Sequence, residues 1–224
     1  MQLVVTATRR ESDAVLARLG APEPRRLGPH DVRCASGVTI AVAGVGIAEA
    51  AATTASLLAQ EQFDAVFSIG VAGGHAIPLG AIAVADALSS PDTGVEQPDG
   101  TVRTLEQALG FGTTAAGLAA DQVDKLAARL PGCHRAHLLT VSTVTGSAER
   151  ARRLLTSITG AAVEDMEGWG VYVAATAAAR PFFAVKAVSN RIGPRDRASW
   201  DLDGALEALS HSACQLFLDP PDWI

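Results

Sequence analysis

Short apolar runs alternate with longer amphipathic stretches along most of this chain. Residues 3–6, 38–43, 65–69, 81–85, 137–141, 161–163 and 182–188 are nearly continuous apolar runs, rich in Val, Ile, Leu and Ala. Such runs read as strands buried on both faces. Between many of them, residues 11–19, 48–60, 117–130, 147–155, 169–179 and 202–217 carry apolar positions at helical spacing. Alternating strands and helices predict an α/β fold with a mixed central β-sheet flanked by helices. Residues 38–43 and 81–85 are bordered by short loops, so they are expected to run antiparallel to their neighbours. The stretch 89–112 is polar and rich in Pro, Gly and Asp. It reads as a long loop, and long loops in compact domains are often functional. No internal repeat or low-complexity linker is visible.

At 224 residues, with 48% apolar positions, the chain reads as one domain spanning 1–224 with a substantial core. Aromatic residues make up only 4%, so the core must be built from small side chains in tightly packed layers. The net charge of −6 argues against a nucleic-acid backbone as partner, and leaves binding of a single nucleoside open. The chain enters a strand at Leu3 with no basic segment leading into a long apolar one, so no signal peptide is expected. No uninterrupted run of about 18 apolar residues suggests a membrane span. Cys34, Cys133 and Cys214 are odd in number and far apart. They match no metal or redox spacing, and read as buried or idle thiols in a reducing cytoplasm.

Two segments carry the candidate chemistry. Val163-Glu164-Asp165-Met166-Glu167-Gly168 places Glu167 just past a short strand and at the start of a helix. Ala187-Val188-Ser189-Asn190-Arg191 places Asn190 at the end of another strand. A carboxylate can grip a sugar diol and an amide can hydrogen-bond a heterocycle, which together suit a nucleoside-cleaving site. Three acids in one turn repel one another unless something is gained. Lys186, between Val185 and Ala187, either faces a carboxylate in a cleft or lies in solvent on an edge strand, since burial without a partner is costly. Glu11 follows the first strand; it is either a favourable first-turn acid or a general base at the strand end where open α/β sheets bind ligands. Gly44-Val45-Gly46 opens a helix but does not complete a dinucleotide fingerprint. Glu49 stands in place of the third glycine, and Asp64 precedes a strand instead of ending one. A tight turn that lets backbone approach a small ligand fits better. Gly70, Val71, Ala72, Gly73 and Gly74 end a strand, and could present amides to a ligand or form a plain turn.

Taken in order, Ala7-Thr8 with Glu11, Gly44-Val45-Gly46, Gly70 to Gly74, Met166-Glu167-Gly168 and Ser189-Asn190 resemble the nucleoside phosphorylase and nucleosidase superfamily nearly end to end. The segment Val188-Ser189-Asn190-Arg191-Ile192-Gly193-Pro194-Arg195-Asp196 with Trp200 resembles its futalosine hydrolase family. The resemblance implies a nucleoside phosphorylase-like fold, a homo-oligomer, no metal or organic cofactor, and hydrolysis of futalosine in the menaquinone pathway. It implies a water-activating role for Glu11 and ribose contacts from Asp165, Met166 and Glu167. It also implies pocket-lining amides at 70–73, Lys186 near the nucleophile and Asn190 at the base. Val144 and Thr145 lie where related enzymes place an aromatic over the base, so the base clamp departs from the pattern. Phosphorylases of this group carry an arginine in the strand before the glycine segment, where this chain has Phe67 and Ser68. That favours water over phosphate, with Arg9 and Arg10 near enough to supply a cation. Asn in place of the usual Asp at 190 suits a 6-oxopurine, whose O6 and N7 both accept. Arg191, Arg195 and Arg197, with Trp200, either hold the benzoate that futalosine carries on its 5′ side or lie in solvent paired with Asp196 and Asp201.

Overall fold

The computed structural model describes residues 1–156 and 158–218. In chain order it begins with β1 (Gln2–Thr6), α1 (Arg9–Leu16), β2 (Glu23–Leu27), β3 (His30–Ala35), β4 (Val38–Val42) and α2 (Ile47–Gln60). Next come β5 (Ala65–His75), β6 (Ile82–Ser89), β7 (Gly94–Glu96), β8 (Val102–Thr104), α3 (Leu105–Leu109), β9 (Ala115–Gly117) and α4 (Ala120–Arg129). It closes with β10 (His134–Thr140), α5 (Ala148–Leu155), β11 (Ala162–Asp165), α6 (Gly168–Ala177), β12 (Phe182–Arg191) and α7 (Leu202–Phe217).

The central sheet is mixed, as the alternation predicted. β1 runs parallel to β4 on one side and to β5 on the other, and β12 runs parallel to β5. β6 is antiparallel to β12 and parallel to β10, which pairs parallel with β11. β11 returns to the far end of β5 and pairs with it antiparallel. Five strands therefore close on themselves, while β1, β4, β3 and β2 extend the sheet outward. Alternation along β1 divides the core into two layers. Leu3 and Val5 pack with Leu57 of α2 and with Trp169 and Val171 of α6. Val4 packs on the other face with Val15 of α1 and with Leu209 and Leu216 of α7. A side chain at Gly170 would collide with the Ile47 carbonyl, so α6 and α2 approach closely there.

Several elements differ from the sequence reading. Residues 38–43 run parallel to β1, and their antiparallel partner is β3. β2 escapes the pattern because it is the edge strand, where only Leu27 of Glu23–Leu27 is buried, and β3 beside it buries only Val32. β5 does not stop at Ile69. It continues through the glycine segment, because β12 pairs with it up to Gly74 and β11 covers its end. The stretch 89–112 is not a bare loop. β7 and β8 form a hairpin, and Thr104 caps α3 with a box completed by Gln107. Gly117 belongs to β9, which pairs with β6, so the helix expected from 117 starts at Ala120. The three cysteines are free thiols and only partly buried. Among the described residues no helix is long and apolar enough to cross a membrane.

Candidate active site

Glu11 is held from both ends of its carboxylate. Thr8 caps α1, and its N–H and hydroxyl both donate to Glu11 Oε2 at 2.8 Å. The Val71 N–H of β5 donates to Oε1 at 2.9 Å. The side chain is only 5% exposed, so three donors offset its loss of water. The first-turn reading of Glu11 holds, and the acid that completes this capping box also reaches across to β5. A side chain at Gly70 would run into this carboxylate, which explains a glycine inside a central strand.

Glu167 stands between β11 and α6. The Gly46 N–H donates to its Oε1 at 2.9 Å, so the glycine turn after β4 meets a protein carboxylate. Burial raises the Glu167 pKa to about 7, helped by the nearby Asp165 charge. The Lys186 charge and the Gly46 N–H pull it back and do not cancel the rise.

Lys186 lies in β12 at the centre of the sheet, 3% exposed, with Nζ 2.9 Å from Asp165 Oδ2 and from Ser68 Oγ. Of its two sequence alternatives, the edge strand does not apply. Burial would lower its pKa, yet the carboxylates of Asp165 and Glu167 outweigh that and raise it. Lys186 is therefore a fixed positive charge. Asp165 also accepts from Thr140 Oγ1 at 2.7 Å and from the Gly168 N–H at 2.9 Å. It thus joins β10, β11, β12 and the start of α6.

Asn190 follows an irregularity in the β12–β5 pairing at Ser189, which re-aims the end of the strand. It sits opposite Gly73, and a side chain there would crowd its Nδ2. Ser189 Oγ lies 2.9 Å from Asn190 Oδ1 and Nδ2 donates to the Arg191 carbonyl at 3.0 Å. The hydroxyl thereby fixes which way the amide faces and leaves one N–H to give.

A cavity of about 330 Å³ brings these groups together. Glu11, Val71, Ala72 and Gly73 are in its wall, as are Val144, Asp165, Met166, Glu167 and Asn190. Gly70, Thr145 and Lys186 do not line it. Thr145 is buried behind Val144, where its N–H donates to Glu164 Oε1 at 2.9 Å and its hydroxyl to Oε2. Burial raises the Glu164 pKa against the pull of those two hydrogen bonds. Asp92 accepts the Ser142 N–H and Arg150 donates to the Thr143 carbonyl. The segment that presents Val144 is therefore fastened on both sides of it, at Ser142, Thr143 and Thr145. Arg10, Val45, Leu202 and Leu206 also line the cavity without having been singled out as its wall. Leu202 and Leu206 share one face of α7 at i and i+4, the signal that could have found them. Among the described residues no group of three His, Cys, Asp or Glu is placed to hold a metal ion.

The phosphorylase superfamily model matches residues 32–218. The futalosine hydrolase of Acidothermus cellulolyticus is 42% identical over 220 residues, covering 96% of this chain and 89% of its own. The futalosine hydrolase of Streptomyces coelicolor is 42% identical over 223 residues, covering 96% and 94%. Among solved structures, a futalosine hydrolase mutant of Helicobacter pylori superposes with a TM-score of 0.82 at 17% identity, covering 96% of each chain. An S-adenosylhomocysteine nucleosidase from Streptococcus pyogenes, in complex with 5-methylthiotubericidin, gives 0.82 at 18%, covering 99% of this chain and 98% of its own. At these identities the structures support the fold alone.

Proposed function

Since the chain belongs to the phosphorylase superfamily, we propose that its site hydrolyses the N-glycosidic bond of futalosine. The products are hypoxanthine and dehypoxanthine futalosine, as a step of menaquinone biosynthesis. The observation that carries this reading is that Glu11 and Glu167, from distant parts of the sequence, line one cavity together with Asn190. Its likeness at 42% identity to two futalosine hydrolases supports the choice of substrate.

Cleavage passes through an oxocarbenium-like sugar, as in glycoside hydrolysis. Glu11 takes a proton from the water that attacks C1′. Its three donors keep the carboxylate aimed at the cavity through the reaction. Glu167 accepts the ribose hydroxyls, with Met166 packed under the sugar. Both carboxylates favour the positive charge that develops on the ring. The free N–H of Asn190 donates to the departing 6-oxopurine, and Val144 forms the wall beside the base. Lys186 acts through its neighbours: it holds Asp165 and, by its charge, favours the ionised form of Glu167. Because Lys186 is buried beside Asp165 and Ser68 and does not line the cavity, it is poorly placed to hold a phosphate nucleophile.

The Glu167 assignment fixes a pH dependence. The carboxylate is neutral below about pH 7 and ionised above it. The ionised form is the better acceptor for a diol. kcat/KM, which reports the free enzyme, should therefore rise with pH and level off above about 7. In Glu167→Gln the plateau should drop and this limb should vanish. A pH–rate profile from 5 to 9 reads both, and an unchanged limb in the variant would place the titration on another group.

The base assignment is tested by Asn190→Asp. A carboxylate facing O6 and N7 repels both acceptors, so the variant should lose activity on futalosine and gain, relative to it, on a 6-amino analogue. Chromatography of released base decides. An unchanged 6-oxo to 6-amino ratio would mean that another group reads the base.

A further inference from the structure

One buried acid in the cavity wall has no part in the steps above. Glu164, only 7% exposed, lines the same cavity as Asn190. The sheet register sets the two around a single glycine. Gly73 of β5 pairs with Glu164 of β11 on one side and with Asn190 of β12 on the other. Residues opposite one another in neighbouring strands send their side chains to the same face. Glu164 and Asn190 therefore share one face, two strand spacings or roughly 10 Å apart at their Cα atoms. Between them Gly73 has no side chain, and one placed there would crowd the Asn190 Nδ2. The result is a slot with Gly73 as its floor, an amide on one wall and a carboxylate on the other.

That carboxylate is short of donors. Glu11 accepts three hydrogen bonds, and Asp165 accepts three with the Lys186 ammonium included. Glu164 accepts two, both from Thr145, one on each oxygen. An ionised carboxylate has about four acceptor positions, so each oxygen keeps one. Burial raises the Glu164 pKa, which the Thr145 donors and the Arg150 charge oppose and the Asp165 charge reinforces. A further N–H, brought by a ligand, offsets the cost of burying this charge.

We infer that Glu164 accepts the N1–H of a 6-oxopurine held across this slot, and so reads the ring position at which hypoxanthine and adenine are opposite. O6 and N7 of the base face Asn190. N1 adjoins O6 on the next edge of the ring, towards the Glu164 side. In hypoxanthine N1 carries a hydrogen; in adenine it carries a lone pair, which the carboxylate repels. Asn190 selects for the acceptors and Glu164 for the donor beside them, so a 6-aminopurine is rejected at two points. Thr145 acts behind Glu164 as a positioning residue. The assignment rests on the purine-nucleoside reading of the cavity.

Calorimetric titration with free bases tests it without turnover. The probes are hypoxanthine, 1-methylhypoxanthine and adenine; 1-methylhypoxanthine keeps O6 and N7 but has no N1–H. A hydrogen bond to a charged group is worth roughly tenfold or more in affinity, so the parent protein should prefer hypoxanthine to either other base by at least that factor. Glu164→Gln should lower the hypoxanthine-to-adenine ratio by a similar factor, because its amide can turn an N–H towards adenine N1. Its affinity for 1-methylhypoxanthine should change little, since that base has no N1–H to lose. Thr145→Val, which keeps the backbone donor and loses the hydroxyl, should lower the same ratio by less. Equal losses on all three bases in Glu164→Gln would reduce Glu164 to a support for the Val144 segment and overturn the assignment. So would a parent protein that binds 1-methylhypoxanthine as tightly as hypoxanthine, whether or not the variants fold. The two readings fail separately. Selective binding of hypoxanthine by a protein that does not cleave futalosine would reject the hydrolase reading and keep the slot. Cleavage without selectivity among the bases would do the reverse.

Discussion

Glu11→Gln is expected to lower the rate of hypoxanthine release by about 10²–10⁴-fold, the usual cost of losing a general base, while futalosine still binds. The substitution removes the proton acceptor and little volume. It does not keep every contact. The Thr8 and Val71 N–H groups both donate to the carboxylate, from opposite ends. A glutamine amide can accept from one of them and must turn its NH₂ towards the other. Part of the effect is therefore a small stability loss, visible in a melting curve and separable from turnover. Single-turnover base release with saturating substrate measures the chemical step. A variant that keeps near-normal rates would remove Glu11 from the mechanism.

The second large effect is on stability. Lys186→Met should destabilise the protein by about 3–5 kcal/mol, the range for removing one partner of a buried ion pair. At roughly 2–4 °C per kcal/mol for a chain of this size, the thermal midpoint should fall by about 6–20 °C. The cause is Asp165, which would stay buried with only Thr140 and the Gly168 N–H to hold its charge. Pairing the substitution with Asp165→Leu should recover part of the loss, since replacing both partners by apolar groups can be near neutral. Thermal denaturation of both variants at pH 7 makes the comparison. A midpoint within a degree or two of the parent for Lys186→Met would show that the pair is not a buried ionic one. Lys186→Met should also move the acid limb of the kcat/KM profile to higher pH, because the Lys186 charge lowers the Glu167 pKa.

The parts of this site legible in the sequence share a local signature. Glu11 and Glu167 each sit where a strand gives way to a helix, and Asn190 ends an apolar run. Those transitions can be read from periodicity and capping residues over a few positions. The parts that were not legible depend on contacts between distant segments. Nothing around Gly46 says that its N–H meets a carboxylate 121 positions away. The glycine segment of β5 looked like a loop because glycine is poor in strands. It is a strand because two other strands supply its hydrogen bonds, and its glycines stand where Glu11, Asn190 and Val188 crowd positions 70, 73 and 74. Thr145 was expected at the base beside Val144, but Glu164 turns it inward. Arg10 was read only as a cation near enough to serve a phosphate, and its place beside Trp200 and Leu202 depends on the far end of the chain. The edge strand β2 and its neighbour β3 stayed hidden for the opposite reason: largely solvent-facing strands need no apolar pattern.

One assay reaches the central claim, that water and not phosphate attacks the sugar of futalosine in this cavity. The protein is incubated with futalosine in phosphate-free buffer and again with added inorganic phosphate, and both the base and the sugar product are followed by chromatography. The account predicts hypoxanthine at the same rate in both, with dehypoxanthine futalosine carrying a free anomeric hydroxyl. Base release that requires phosphate, with a sugar 1-phosphate as product, would contradict it.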